Sequence, residues 1–468
     1  MGVIGAMLLL SACNKDLNLQ PHQSLGQSEA ILTAQDVQIT LVGAYSRAGL
    51  SDLYGGGIFL YPDLMATQTQ ISWHGTFQGL IQMTNQSVPN DNSFVNSVWL
   101  DGYEVINQAN NVLANLDKVA AGDKDRTEGE AKFLRGMTYF DLVRVFGKAW
   151  NDGDPATNPG VPIVLTPTTV INSSSYVARS SVSAVYLQAI ADLKDAEAKL
   201  PEDNTYFANK YSAAAILARL YLQKGDYPNA ITEASNVISS GAFSLNDNYI
   251  DEFPTPDFTG DHVTAVHLDN TPEDIFSLQV TTQQGVNSLN TYYASTNDGG
   301  RGDIHIVPGF LTNPDPTKTL FEPGDTRLEL FQYDDPSDNT STMRCHKFDN
   351  VDGNVHVIRL AELYLIRAES NLRTGASGTA FETGITPLND INKIKRRAGI
   401  DTLKSVVVAD VLKERVRELA FEGGFFFHDA KRTGQNLGNL QYSSPKLVFP
   451  IPLQDINANP KLVQNPGY

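Results

Sequence analysis

The side chains able to do chemistry are scattered through this chain without a catalytic pattern. There is no H-E-x-x-H, no G-x-S-x-G, no Walker A and no G-x-G-x-x-G after a strand. Gly55-Gly56-Gly57 lacks the Walker spacing and its lysine. His262 and His267, with Asp261 and Asp269, are the residue types of a metal site, but in so polar a stretch their nearness reads as chance. Asp349-Asn350-Val351-Asp352-Gly353 opens like a calcium loop and lacks the later glutamate of an EF-hand. Its Asp-Gly step reads instead as a hairpin turn. A structural calcium is therefore unsupported, and no cofactor is expected. Arg301-Gly302-Asp303 spells an adhesion tripeptide and reads as accidental. Acidic residues abound, but none stand out as the carboxylate pair of a glycoside hydrolase. No enzyme is expected.

Binding asks for less. Aromatic faces can stack on the apolar faces of sugar rings while planar polar groups meet the hydroxyls. Two stretches, both read as loops, have that make-up. One runs from Ile71 to Phe77 and offers Trp73, His74 and Phe77. The other runs from Asn290 to Arg301 and offers Tyr292, Tyr293, Asp298 and Arg301. These seven are the candidate ligand contacts; core packing or a partner interface is the competing reading. Trp99 lies on a helical face and reads as core, whereas Trp150 fits either role.

The elements that must position these residues are mostly helices. Apolar periodicity predicts helices over Glu29–Leu50, Val98–Leu116, Gly129–Gly147 and Ser183–Leu200, the last stopped by Pro201. Lys210–Ile238 carries Leu217, Ala218, Tyr221, a Gly225-Asp226-Tyr227 turn and Ala230, the tetratricopeptide pattern. Arg359–Gly375 and Leu388–Ile400 suggest a second helix pair. Such pairs bury their faces only when stacked, so one continuous scaffold is expected. Phe243 to Met343 is rich in Pro, Gly, Asp, Asn and Thr, with a short strand predicted at Phe276–Thr282. A long irregular stretch of this kind is read as functional.

Val408 to Gly434 is the organising segment. Leu412, Val416 and Leu419 predict an inward apolar face. Glu414, Glu418 and Glu422 share one stripe, and like charges at i, i+4 repel by a few tenths of a kcal/mol each. A neighbouring helix supplying cations is expected, with Arg367, Arg373, Lys395, Arg396 and Arg397 at hand.

The formal charge of −18 argues against a nucleic-acid partner, which requires a basic face. With only Cys13 and Cys345 there is no disulfide framework. Gly2 to Ala12 is apolar and too short to span a bilayer. It ends Leu10-Ser11-Ala12-Cys13, which resembles a bacterial lipobox with Cys13 as the lipid-attachment residue. No Lys or Arg precedes the run, so the true start is expected to lie upstream. Asn14 to about Ser28 is polar and reads as a tether.

ERVRELAFEGGFFFHDAKRTG and the terminal VFPIPLQDINANPKLVQNPGY resemble the closing signatures of the SusD/RagB family of outer-membrane nutrient-binding lipoproteins of Bacteroidetes. The Val98–Leu116 and Gly129–Gly147 helices, GVPIVL at Gly160–Leu165, and Pro308–Phe331 with its Asp325-x-Arg327 pair extend the resemblance. It implies a mainly α, SusD-like fold: tetratricopeptide-like helix pairs carrying a long irregular insertion. The expected organisation is a signal peptide over 1–12, a lipid-anchored tether over 13–28 and a single domain over 29–468. Helical repeats would fill 29–240 and 355–435, with the insertion at about 243–350. It also implies an outer-membrane protein facing the exterior, which captures an oligo- or polysaccharide and passes it to a SusC-like TonB-dependent transporter. Rival readings are a peptide or other nutrient binder using the repeat surface, and an exported glycoside hydrolase.

Overall fold

The computed structural model describes residues 31–66, 69–170, 172–254, 267, 269–281, 283, 285–311, 319–335, 337–375 and 386–468. Cys13, the 1–12 and 13–28 segments, Asp261 and His262 lie outside the described residues.

The first helix, α1 (Ala34–Ala48), starts where Thr33 closes a capping box. The Asp36 N–H donates to Thr33 Oγ1, and the Thr33 N–H donates to the Asp36 carboxylate. That cap, not the first apolar residue, sets the start. Next comes α2 (Gly57–Ala66), buried on every side. Periodicity missed it, because a helix that is apolar all round has no stripe and Pro62 interrupts its run. A short α3 (Gln78–Thr84) leads to the long α4 (Ser93–Ala114), α5 (Lys124–Phe146) and α6 (Val182–Lys199). Small residues let these approach closely. A Cβ on Gly136 would come within 3.0 Å of Leu193, and one on Gly102 within 3.0 Å of Leu142.

The tetratricopeptide pair is α7 (Lys210–Lys224) and α8 (Tyr227–Ser240), joined through Gly225 in the left-handed conformation. Ala218 and Ala230 are fully buried where the two helices meet. After the insertion, with its short α9 (Ser288–Tyr293) and α10 (Pro308–Leu311), comes α11 (Leu360–Arg373), which packs on α8. It pairs with α12 (Pro387–Arg397), and α13 (Val408–Glu418), α14 (Phe425–Thr433) and α15 (Leu453–Ala458) close the chain. The fold is mainly α, a tetratricopeptide-like scaffold with an irregular insertion.

The insertion is stitched by three antiparallel two-stranded ribbons. β1 (Ile71–Trp73) pairs with β3 (Ile304–Ile306), β2 (Asp274–Leu278) with β6 (Val355–Arg359), and β4 (Phe331–Tyr333) with β5 (Met343–Cys345). The predicted strand at Phe276–Thr282 thus begins two residues earlier and ends at Leu278. A lone two-stranded ribbon is marginal in water, so each depends on the scaffold beneath it.

That dependence is electrostatic as well as apolar. The inward face of α13 is charged: Val411, Glu414, Arg415, Arg417 and Glu418 are buried, whereas Leu412 and Val416 are only half-buried. The expected cation donors largely fail. Arg367 pairs with Asp390 at 2.7 Å, Arg373 with Glu369 at 2.7 Å and Lys395 with Glu322 at 3.1 Å, while Arg396 is exposed. Of the five, only Arg397 reaches the stripe, at Glu418. The other cations come from outside α12. Arg327, in a turn of the insertion, meets Glu414 at 2.7 Å and Glu418 at 3.2 Å. Arg359, at the end of β6, meets Glu418 at 2.8 Å and Glu422 at 2.7 Å, and Lys347 meets Glu422 at 2.7 Å. Burial alone would raise the Glu418 carboxyl, but Arg397, Arg359 and Arg327 hold it far below the ordinary carboxylate range.

Phe421 sits between the last two glutamates in the left-handed region, φ 67°. For a bulky residue this costs about 1–3 kcal/mol and persists only where the surroundings over-determine it. Its ring is held by Tyr293, Phe310 and Phe331, with centroids 5.7–5.8 Å away.

Candidate functional site

Each of the two stretches read as loops begins in a regular element, Ile71–Trp73 in a strand and 290–293 in a helix, and runs on irregularly from there; pairing brings them together. β1 and β3 set Ile71 opposite Ile306, Ser72 opposite His305 and Trp73 opposite Ile304. The His74 N–H donates to the Asp303 carbonyl at 2.7 Å and prolongs the ribbon by one residue. The Arg301 N–H donates to Thr291 O at 2.7 Å and ties the ribbon to α9.

This arrangement gathers Trp73, Phe77, Tyr292 and Arg301. The Trp73 and Tyr292 rings lie 5.6 Å apart at 58°, and Phe77 meets Tyr292 edge-on at 6.3 Å. The Arg301 guanidinium sits 4.7 Å from the centre of the Phe77 ring and donates from Nε to Asp303 Oδ2 at 2.7 Å. Trp73 is half-buried and Tyr292 is 8% exposed, so much of their area is spent on each other; Phe77, at 38%, is the open face. Burial, with Asp52 nearby, pushes the Tyr292 hydroxyl up to about 12, so it stays a neutral donor. Gly75 is required here: a Cβ would meet the Trp73 ring at 2.4 Å and the Asp303 carboxyl at 2.6 Å.

The remaining candidates separate. His74 is exposed and stacks on His305, centroids 3.8 Å apart, with Ser72 Oγ 2.9 Å from its Nε2. Burial, then His74 itself, drops His305 to about 4, so this face of the ribbon carries a neutral imidazole at neutral pH. Tyr293 is no surface contact. It is fully buried against Phe348 and Phe421, because neighbouring residues on a helix point about 100° apart, so that Tyr292 turns toward Trp73 and Phe77 while Tyr293 turns into the core. Trp99 is core, at 4% exposure, and Trp150 is half-buried against Tyr186 with the Lys224 ammonium over its ring.

Asp298 and Arg301 open onto a cleft of about 800 Å³. Ser295, Thr296 and Asn297 continue that wall. Ile250, Glu329, Gln332, Tyr333, Asp334, Arg344, His346 and Asp349 form the rest. Sequence reading missed this second wall. Its residues fall on both strands of the β4–β5 ribbon and its flanks, and no local spacing foretells that they converge. Arg344 donates from Nε and Nη2 to the two oxygens of Asp334 at 2.9 and 3.1 Å, and from Nη1 to Gly302 O at 2.9 Å. Burial would lower His346, but its 2.6 Å bond to Asp349 wins and raises it.

Metal chemistry finds a different place from the one considered in the sequence. His267 bonds Val280 O, and Asp269 accepts from Tyr206 at 3.4 Å; they do not converge. Among the described residues, Glu252, Asp274 and His356 do, with ligand atoms within 4.8 Å of one another. There the imidazole Nδ1 bonds Asp274 and lies 3.5 Å from Glu252, so a protonated His356 can itself serve as the cation. Residues 349–353 form a turn closed by the Gly353 N–H to Asn350 O at 3.0 Å. It is not the hairpin expected, because the flanking strands β5 and β6 belong to different ribbons.

Helix pairs carrying an insertion of short ribbons define the class: the architecture is that of the SusD superfamily. It matches a putative sugar-binding protein from Bacteroides vulgatus with TM-score 0.78 and 27% identity, over 94% of this chain and 99% of that one. It also matches surface glycan-binding protein A from Bacteroides uniformis, TM-score 0.71 at 21% identity, a likeness of fold. Residues 20–222 match the SusD-like family described as starch-binding and associating with the outer membrane, and residues 339–443 match the SusD family proper. Among relatives, SusD-like protein P2 from Formosa agariphila is 24% identical over 99% of this chain and 98% of its own. The starch-binding protein SusD of Bacteroides thetaiotaomicron is 31% identical over 25% of this chain and 22% of its own. The chain belongs to the SusD/RagB family.

Proposed function

We propose that this protein binds a glycan at the outer membrane and hands it to a SusC-like TonB-dependent transporter, breaking no bond. One observation carries the reading. An open cleft of about 800 Å³ adjoins a cluster of aromatic rings whose exposed member, Phe77, lies under Arg301. Ring faces and fixed polar groups side by side are what a sugar needs. The names borne by relatives, starch-binding and surface glycan-binding, support the same ligand class. In this reading Asp298 and Arg301 stand in one wall and the β4–β5 ribbon forms the other, with Phe77 beside Arg301, Trp73 and Tyr292 backing that ring, and His74 at the edge. Cys13 carries the lipid, residues 13–28 lift a single domain off the membrane, and the helical scaffold docks on the transporter.

Calorimetry of the unacylated chain from Asn14 onward, against a panel of polysaccharides with reducing ends assayed in the same tubes, tests it. Binding without new reducing ends, weakened by Phe77→Ala or Arg301→Ala, is the expected result. New reducing ends would make the protein a hydrolase, and silence across the panel would remove glycan as the ligand.

A further inference from the structure

Charge sets which glycans the cleft can hold. Among its described lining residues, four carboxylates, Asp298, Glu329, Asp334 and Asp349, stand beside Arg301, Arg344 and His346. Each of those three cationic groups already has a carboxylate partner. Arg344 is clamped in bidentate fashion by Asp334 and spends its third donor on Gly302 O. Arg301 gives its Nε to Asp303 at 2.7 Å and its face to Phe77. His346 sits 2.6 Å from Asp349. A uronate or a sulfate ester is recognised by charge-assisted bonds from a free guanidinium or ammonium, and bidentate arginine is the usual instrument. At Arg344 such an anion would have to displace the carboxylate already seated, and at Arg301 or His346 it would have to lie beside the Asp303 or Asp349 carboxylate already held there, with further acidic groups around it. The net charge of −18 adds repulsion at longer range.

Neutral sugars meet no such barrier. A hydroxyl can donate to a carboxylate and accept from its arginine without breaking the pair, and the pairing holds both groups in place. Resting on the glycan-binding reading above, we infer that the cleft takes uncharged polysaccharides and excludes those bearing uronic acids or sulfate esters. Its ion pairs are a selectivity device as well as a source of hydrogen bonds.

The test titrates the unacylated chain from Asn14 onward, which keeps every described residue, with two sets of polymers. The neutral set is amylopectin, laminarin, galactomannan and unsubstituted xylan; the acidic set is alginate, polygalacturonate, carrageenan and ulvan. Each is run at about 50 and about 500 mM NaCl, which shortens the Debye length from over 10 Å to a few ångström. At least one neutral polymer should bind with an affinity that changes less than about twofold between the two salts, and the acidic set should bind at least about 100-fold more weakly, since exposed charge repulsion is screened but binding to neutral groups is not. The exposed rim pair Glu329→Lys with Gln332→Lys should gain acidic-polymer binding that fades at high salt. An acidic polymer that binds as well as the best neutral one would overturn the inference while leaving glycan capture standing. So would a rim variant that gains nothing. No binding by either set would overturn both.

Discussion

Asp63 lies wholly enclosed in α2, with Oδ2 unpartnered among the described residues. Burial pushes its carboxyl up to about 8, against about 4 in an unfolded chain. Between those values the native protein holds a proton that the unfolded chain has released, so stability falls as pH rises through the window, by up to about 1.4 kcal/mol per unit. Asp63→Asn removes this titration. Its unfolding free energy relative to the parent should climb from about pH 4 to about pH 8 and then level. Denaturant melts at four pH values would measure this, and a constant difference would mean that Asp63 is not held neutral. Tyr293 and Phe77 offer a second contrast at this scale. Tyr293→Ala empties a closed site and should cost about 3–5 kcal/mol of stability. Phe77→Ala removes an exposed ring and should leave the melting temperature almost unchanged while weakening glycan binding about tenfold or more, as expected for a stacking contact of about 1–2 kcal/mol. Calorimetry and thermal melts on the same samples separate the two.

The β1–β3 ribbon is the element that assembles the aromatic wall, and its tightest point is Gly75. The φ of Gly75 demands no glycine; what does is the 2.4 Å approach of a would-be Cβ to the Trp73 ring and the 2.6 Å approach to Asp303. Gly75→Ala should therefore turn Trp73 and loosen the Asp303–Arg301 pair, weakening ligand binding severalfold with only a modest drop in melting temperature. A crystal structure or tryptophan fluorescence of the variant would show whether the ring has moved. Unchanged binding with a displaced ring would place the ligand elsewhere on the cleft. The ribbon was legible only in part from the sequence. The residue types at 71–77 and 290–301 suggested a common task, but the pairing of Trp73 with Ile304 joins positions far apart in the chain, beyond the reach of any local period.

Across the whole molecule, the insertion and the scaffold share one buried electrostatic core. Glu418 alone meets Arg327 from the insertion, Arg359 from β6 and Arg397 from α12. Glu418→Ala strands those cations without water, and breaking a buried ion pair from one side costs about 3–5 kcal/mol. Because the network spans both regions, they should still melt in a single, lower transition by differential scanning calorimetry. A separate early transition for the insertion would show that it folds as an independent unit. Phe421 reinforces the coupling, since its strained backbone is held by three rings of the insertion.

From the sequence alone came the helix pairs, the tetratricopeptide turn at Gly225, the core role of Trp99 and the presence of a charged stripe on α13. Each is written in local spacing, because a helix brings residues i, i+3, i+4 and i+7 to one face whatever surrounds it. The family signatures between Glu414 and Gly434 and at the C-terminus were legible for a related reason. Those residues are tied down by their own partners, as when Arg415 pairs with Asp429 at 2.8 Å and Arg432 with Glu369 at 2.6 Å. Tertiary structure alone decided which face of α13 turned inward, and it chose charge over Leu412 and Val416. That choice is favourable only when cations arrive from distant segments to replace the lost water, and their arrival is a property of the folded chain. The same holds for the cleft, whose two walls are separate runs of sequence that meet only because short ribbons fold onto a rigid helical base.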